Sequence, residues 1–173
     1  MKVAILIAPK DFKDESVSKI KLMLEKWGVQ AAITSYSTHD CVGYHGAVYR
    51  PDINAAKVNP NDYDALLLVD GKGVDDYKLY DFRQLLDTVK LFQMKSKPIA
   101  AINNAIKIVA RANIIQNVKI AMPKDEDSRR LIILYHGTPS KSEMEDDKGI
   151  MTLSNSDKLY DFADMIVTKL GVK

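Results

Sequence analysis

Short apolar runs alternate with segments of helical periodicity along most of the chain. The runs at 2–8, 30–35, 64–69 and 98–102 lack the apolar–polar alternation of half-exposed strands, and this is typical of strands buried on both faces of a parallel sheet. Shorter runs predict further strands at 118–121 and 131–135. Apolar residues at helical spacing predict helices at 17–27, 82–92, 104–112 and 159–170. The alternation predicts an α/β fold with a mostly parallel sheet and helices on both faces, in one domain spanning 1–173.

Composition excludes several classes of protein. The 25 Lys+Arg and 23 Asp+Glu residues give a net charge of +2, which lacks the basic excess of a nucleic-acid binder. A single cysteine, Cys41, excludes an internal disulfide and a multi-cysteine zinc site. No stretch approaches the roughly 20 apolar residues of a membrane span. We therefore expect a cytoplasmic protein without nucleic-acid or membrane partners.

Three strand ends carry the candidate functional residues, because function in open parallel sheets gathers at the carboxyl ends of the strands. These ends are PKDFKDE at 9–15, VDGKG at 69–73 and NNA at 103–105. The third is a sharp strand-to-helix junction, where a nucleophile elbow would lie. Asn103 tolerates the positive φ of such a junction, but its amide nitrogen is not basic and cannot act as a conventional nucleophile.

Cofactor and metal motifs are weak. VDGKGVDD lacks the third glycine of a dinucleotide fingerprint, and there is no P-loop. Flavin or nucleotide binding stays open, but no cofactor is predicted. His39, Asp40 and His45 are too irregularly spaced to predict a metal site.

The three strand ends and their flanks resemble the ThiJ/PfpI family, the group of the PfpI intracellular proteases and the Parkinson-linked deglycase within the class I glutamine amidotransferase-like superfamily. The resemblance covers nearly the whole chain and is carried by five segments: MKVAILIAPKDFKD, VGYHG at 42–46, KVNPNDYDALLLVDG, KPIAAINNAIKIV at 97–109 and SDKLYDF at 156–162. It implies a flavodoxin-like three-layer sandwich, a cysteine-dependent peptidase, glyoxalase or deglycase activity, and assembly into homodimers or larger rings.

The departures from the family pattern lie at the positions that the resemblance assigns to the catalytic residues. By resemblance, Asn103 and Asn104 stand at the positions of the nucleophilic Cys and the following His, and Lys13 stands at the position of a Glu. Asp70 and Gly71 replace the paired glycines of the oxyanion turn, and the acid that some members supply from a neighbouring subunit falls on Asp75. A thiolate nucleophile needs a depressed pKa and a nearby base, and neither asparagine titrates.

Two functional hypotheses follow. The first is a pseudoenzyme that binds a small-molecule ligand or a protein. The second is a hydrolase- or lyase-type enzyme with a relocated acid/base site, which would use one of Asp11, Asp14, Glu15 and His136. Under the first, Lys13 and Asp70 are hypothesised to approach each other and fill the former pocket.

The remaining features have simpler interpretations. Cys41 is interpreted as a small hydrophobe, and His45 as structural. The polar stretch 137–148 is predicted to be a loop, and the acidic runs 125–127 and 143–147 to be solvated faces. Four tyrosines are candidate interface anchors: Tyr44, Tyr49, Tyr77 and Tyr80.

Overall fold

A computed structural model describes all 173 residues and contains a central sheet of seven strands. The strands are β1 (Lys2–Leu6), β2 (Gln30–Ser35), β3 (Cys41–Val42), β4 (Val48–Tyr49), β5 (Ile53–Asn54), β6 (Ala65–Leu68), β7 (Ile99–Ile102), β8 (Lys119–Ala121), β9 (Thr138–Ser140), β10 (Met144–Asp147) and β11 (Ile150–Leu153). The helices are α1 (Asp14–Lys26), α2 (Lys72–Asp76), α3 (Arg83–Met94), α4 (Ile106–Arg111), α5 (Glu126–Leu134) and α6 (Leu159–Lys169).

The order of strands in the sheet is β10-β11-β7-β6-β1-β2-β5. All neighbouring pairs are parallel except β10 and β11, which are antiparallel. A two-stranded hairpin of β3 and β4 and a parallel pair of β8 and β9 lie outside this sheet. The predicted mostly parallel sheet is confirmed, and its central strands are those that the buried apolar runs predicted.

Helices cover both faces of the sheet, as predicted. Val3 and Ile5 of β1 belong to a core that contains α1 and α6, whereas Ala4 and Leu6 belong to a core that contains α3 and α4. Successive side chains of a strand point to opposite faces, so one apolar run supplies both cores. The longer helices α1, α3 and α6 each bury one apolar stripe, and the short helix α4 is buried almost all round. The helices on both faces give the three layers of a flavodoxin-like α/β sandwich.

The predicted strand at Leu131–Tyr135 is wrong. These residues form the second half of α5 and its C-terminal cap. Asp125 begins this helix, since its carboxylate accepts a hydrogen bond of 2.9 Å from the backbone N–H of Ser128. Only Ile132 is fully buried, while Ile133 is exposed. A short apolar run alone does not distinguish a strand from a helix.

The segment 137–148 is not a single loop, because it contains β9 and β10. β10 is an edge strand, where charged side chains reach solvent on one side, so the acidic residues do not prevent pairing with β11. The buried strand β11 was missed by the sequence analysis. None of the helices is long and apolar enough to cross a bilayer.

Candidate functional site

The three predicted strand ends meet at the carboxyl edge of the sheet. The loop after β1 reaches the turn after β6 through an antiparallel bridge between Phe12 and Gly71, and the N–H of Lys13 donates to the carbonyl of Asp70 at 2.9 Å. Asn103 and Asn104 follow β7 beside this turn. Together these segments border an open cleft of about 400 Å³ with an entirely polar lining. Its lining residues are Lys13, Asp70, Gly71, Lys72, Asp75, Asn103, Asn104, Asp125, Asp127 and Ser156.

Asp70 is a buried carboxylate at the floor of this cleft, with only 2% of its surface exposed. One carboxylate oxygen accepts from Ser16 Oγ at 2.7 Å, and the other accepts from Asn103 Nδ2 at 2.8 Å. Burial raises the pKa of Asp70, and the hydrogen bonds from Asn103 and Ser16 oppose that rise without cancelling it. Both oxygens are thus held by donors from other parts of the chain.

Asn103 occupies the elbow position between β7 and the 3₁₀ turn that leads to α4. Its φ of 45° lies in the left-handed region, as the junction predicted. Besides its bond to Asp70, its amide nitrogen donates to Ser156 Oγ at 3.1 Å. Both N–H groups of the Asn103 amide therefore have partners within the chain.

Asn104 binds the backbone of the neighbouring turn. Its Oδ1 accepts from the N–H of Gly71 at 3.1 Å, and its Nδ2 donates to the carbonyl of Gly71 at 2.7 Å. Nδ2 also donates to Asp75 at 3.2 Å. The N–H of Gly71 is consequently occupied and does not point freely at a developing negative charge.

Gly71 is required by both conformation and space. Its φ is 134°, a region that residues with a Cβ rarely adopt. A Cβ atom there would lie 2.6 Å from the carbonyl oxygen of Asp11 and 2.8 Å from the amide nitrogen of Lys13. The close approach of the β1 loop to the turn therefore depends on glycine at this position.

A second charged group supports the wall of the cleft. Lys107 of α4, whose side chain is 4% exposed, forms an ion pair with Asp75. Its ammonium group also lies 4.5 Å from the ring centroid of Tyr80. Tyr80 is thereby committed to an internal contact.

Comparison with known proteins identifies the family. The model of the DJ-1/PfpI family matches residues 1–169. The chain belongs to the DJ-1/PfpI family. An uncharacterised protein of Methanocaldococcus jannaschii is 35% identical over 118 residues, which are 68% of this chain and 57% of that protein. A deglycase of Pyrococcus horikoshii is 29% identical over 119 residues, covering 69% of this chain and 70% of the deglycase.

Solved structures show the same fold. A ThiJ/PfpI domain protein from Brachyspira murdochii superposes with a TM-score of 0.91 at 22% identity, covering 99% of this chain and 97% of that one. A two-domain protein from Anabaena variabilis, with a DJ-1/ThiJ/PfpI-like and a ferritin-like domain, gives a TM-score of 0.90 at 16% identity. That match covers 98% of this chain and 48% of the two-domain protein.

Lys13 does not form the hypothesised ion pair with Asp70. The Lys13 side chain is exposed, and the carboxylate of Asp70 is bound instead by Ser16 and Asn103. Lys13 still faces the same cleft, and its charge lowers the pKa of Asp70 from a distance. The cleft is therefore open at Lys13 and closed only around Asp70.

The residues named for a relocated acid/base site are not brought together. Asp14 accepts backbone hydrogen bonds from His45 and Ala47, both at 2.8 Å. Burial acts to raise the pKa of Asp14, but these hydrogen bonds outweigh it and hold the pKa below its usual value. Glu15 pairs with Lys19 on the outside of α1, and His136 ends α5 away from the cleft.

The other candidates also have structural surroundings. Cys41 is fully buried, and burial raises the pKa of its thiol. His45 lies in the loop that Asp14 holds, and with Asp11 and Lys13 it borders a smaller pocket of about 200 Å³. The structure has no group of three or more His, Cys, Asp and Glu side chains arranged to hold a metal ion.

Five residues of the site were missed by the sequence analysis: Ser16, Lys107, Asp125, Asp127 and Ser156. Asp125 and Asp127 were interpreted as part of a solvated face, but they line the cleft. Ser156 begins the segment SDKLYDF, whose resemblance to the family was the one signal available. Ser16 lies 54 residues from Asp70 in the chain, so no local pattern predicts their contact.

Asn104→Ala should lower the free energy of unfolding by about 2 kcal/mol, because it removes the partners of the Gly71 N–H and carbonyl. Urea denaturation measures this loss, and amide exchange by NMR should show a faster rate at Gly71. Asn61→Ala, at an exposed asparagine, is the control. Unchanged exchange at Gly71 would contradict the assigned contact.

The difference in the free energy of unfolding between Asp70→Asn and the parent should change as pH rises. The pKa of Asp70 is higher in the folded protein than in the unfolded chain, where it is about 3.9. The stability that this difference contributes is fully present below the unfolded pKa and is lost as pH rises through the folded pKa. The parent should therefore lose stability relative to the variant as pH rises above about 4. Urea denaturation across this range measures the difference, with exposed Asp62→Asn as control. The opposite slope would show that the carboxylate is favoured in the folded state.

Proposed function

We propose that this member of the DJ-1/PfpI family is a pseudoenzyme that binds a small polar ligand in the cleft at Asn103. The observation that carries the proposal is the hydrogen bond from the Asn103 amide to buried Asp70. The side chain at the elbow contacts a neighbouring carboxylate, and it has no nucleophilic atom. The asparagine at this position contributes a hydrogen bond to the fold, whereas a cysteine would provide a nucleophilic thiolate.

Three further features of the cleft support loss of the family chemistry. The second asparagine, Asn104, is neutral and does not titrate, so it provides no base. The N–H of Gly71 is bound by Asn104 Oδ1, so it is not free to stabilise an oxyanion. The carboxylate of Asp70 lies beside the elbow and would repel developing negative charge when it is ionised.

The shape of the cleft favours binding of a small molecule over binding of a protein. It remains open and its lining contains no apolar side chain. Lys13, Lys72, Asp75, Asp125 and Asp127 offer charges of both signs around it. Such a lining suits a small polar molecule that forms several hydrogen bonds.

The test is an assay of the purified protein for peptidase, glyoxalase and deglycase activity, beside the Pyrococcus horikoshii deglycase. No turnover is expected from the parent or from Cys41→Ser. Turnover that survives in Cys41→Ser would support the alternative, an enzyme with a relocated acid/base site. Turnover abolished by Cys41→Ser would overturn the proposal as well, because it would place the chemistry on Cys41.

Ligand binding is tested separately. Ligand-observed NMR with small amides, amino acids and hydroxy acids should detect binders that Asn103→Ala weakens by tenfold or more. Glu15→Ala, on the outer surface of α1, is the matched control. Binding unaffected by Asn103→Ala would place the ligand elsewhere, and the absence of any binder would favour a protein partner.

We infer further that the protein is a cytoplasmic homo-oligomer, as its resemblance to the family implies. Of the four candidate anchors, Tyr44 and Tyr77 are 62% and 47% exposed, whereas Tyr49 and Tyr80 pack internally. Exposed aromatic side chains are favoured in protein interfaces.

Sedimentation velocity should give a mass of at least twice 19.4 kDa. The double variant Tyr44→Ser, Tyr77→Ser should raise the dissociation constant at least tenfold, while Tyr160→Ser, equally exposed on α6, should not. A single 19.4 kDa species in the parent would refute the assembly.

A further inference from the structure

A second concave surface lies at the carboxyl ends of β8, β9 and β11, beside the cleft at Asn103. It encloses about 530 Å³. Its lining residues are Met122, Lys124, Arg129, Pro139, Ser140, Lys141, Ser142, Glu143 and Ser154. It shares no lining residue with the cleft at Asn103, but a third concavity of about 450 Å³, lined by Asn103, Lys124, Ser154 and Ser156 among others, lies between the two. The surface around Lys124, Arg129 and Lys141 is here called the basic pocket.

Three cations converge on the basic pocket from separate elements. Lys124 follows β8, Arg129 lies in α5, and Lys141 lies in the turn between β9 and β10. None of the three forms an ion pair with a carboxylate of the chain. By contrast, Arg130, adjacent to Arg129, pairs with Glu126 at 3.5 Å. Unpaired positive charges gathered in a concavity attract and hold anions.

Arg129 is oriented by one contact. One terminal nitrogen of its guanidinium donates to the carbonyl of Pro123 at 3.3 Å, and its other N–H groups have no partner in the chain. A guanidinium presents five donors in a planar fork that matches the oxygens of a phosphate or carboxylate. Because this contact already restricts the side chain of Arg129, less conformational entropy is lost when an anion binds to its remaining donors.

The single carboxylate of the basic pocket is already engaged. Glu143 accepts from Asn155 Nδ2 at 2.6 Å and pairs with Lys158 at 3.5 Å. The hydrogen bond from Asn155, together with the charges of Lys158 and Lys124, lowers the pKa of Glu143. Because Asn155 and Lys158 lie outside the lining, three cations of the basic pocket face one carboxylate that has partners elsewhere.

Two serines fix the turn that carries Lys141. Ser140 Oγ accepts from the N–H of Ser142 at 3.0 Å, and Ser142 Oγ donates to the carbonyl of Met144 at 2.8 Å. The first bond spans Lys141, and the second spans Glu143 two residues further along the turn. The backbone of the turn is therefore already ordered, so the turn loses little conformational entropy when an anion binds.

We propose that the basic pocket binds the phosphate group of a small molecule through Lys124, Arg129 and Lys141. A phosphate carries up to two negative charges at neutral pH and accepts several charge-assisted hydrogen bonds, so it matches three cations better than a monocarboxylate does. This inference goes beyond the ligand proposed for the cleft at Asn103, and it does not depend on it. Free phosphate and a phosphate monoester share this chemistry.

The test is isothermal titration calorimetry at pH 7.5 with inorganic phosphate, glycerol phosphate and acetate as probes. Both phosphate probes should bind saturably at one site per chain, and acetate should bind at least tenfold more weakly. Tighter binding of glycerol phosphate would identify a monoester as the ligand, and equal binding would identify free phosphate. Raising the salt concentration should weaken binding, because the contacts are exposed charges.

Variants separate the basic pocket from other charges. Arg129→Ala and Lys141→Gln should each weaken phosphate binding tenfold or more, while Arg130→Ala and Lys72→Gln, a cation of the cleft at Asn103, should leave it unchanged. Lys141→Gln lies in an exposed turn, so it provides the test if Arg129→Ala fails to fold. No saturable binding, equal affinity for acetate, or equal loss in Arg130→Ala would each overturn the proposal. Loss in Lys72→Gln would also overturn it, since the phosphate would then lie in the cleft at Asn103.

Discussion

The buried carboxylate of Asp70 determines how the functional end of this molecule is built. With 2% of its surface exposed, it needs donors on both oxygens, and an unpaired buried charge would cost several kcal/mol. Ser16 brings α1 to it, and Asn103 brings the elbow after β7. Asn103 then reaches Ser156, just before α6, so one acid joins four distant segments of the chain.

The two asparagines at the elbow make structural contacts. Asn103 satisfies Asp70, and Asn104 satisfies both backbone groups of Gly71. These contacts depend on one another, since replacing either asparagine leaves a buried or half-buried polar group without its partner. A cysteine placed at 103 would consequently deprive Asp70 of a donor before it could react with anything.

The central strands and the elbow could be predicted because their signals are local. Unbroken apolar runs identify β1, β2, β6 and β7, and an asparagine at a strand-to-helix junction indicates the positive φ at Asn103. The run 131–135 was misassigned because four apolar residues fit either a strand or a helix. The N-cap at Asp125 begins a helix that continues through this run. The choice of Ser16 over Lys13 as the partner of Asp70 depends on tertiary packing, which no spacing in the sequence encodes.

The two edges of the central sheet restrict how copies of this chain can associate. β10 presents Glu145 and Asp146 along one edge, and the N–H of Lys119 binds Asp147 there at 2.8 Å. β5 at the opposite edge is only two residues long. Charged or very short edge strands resist intermolecular β-pairing. The central sheet is therefore poorly suited to continue into a second copy of the chain, so an assembly would use surfaces other than its two edges.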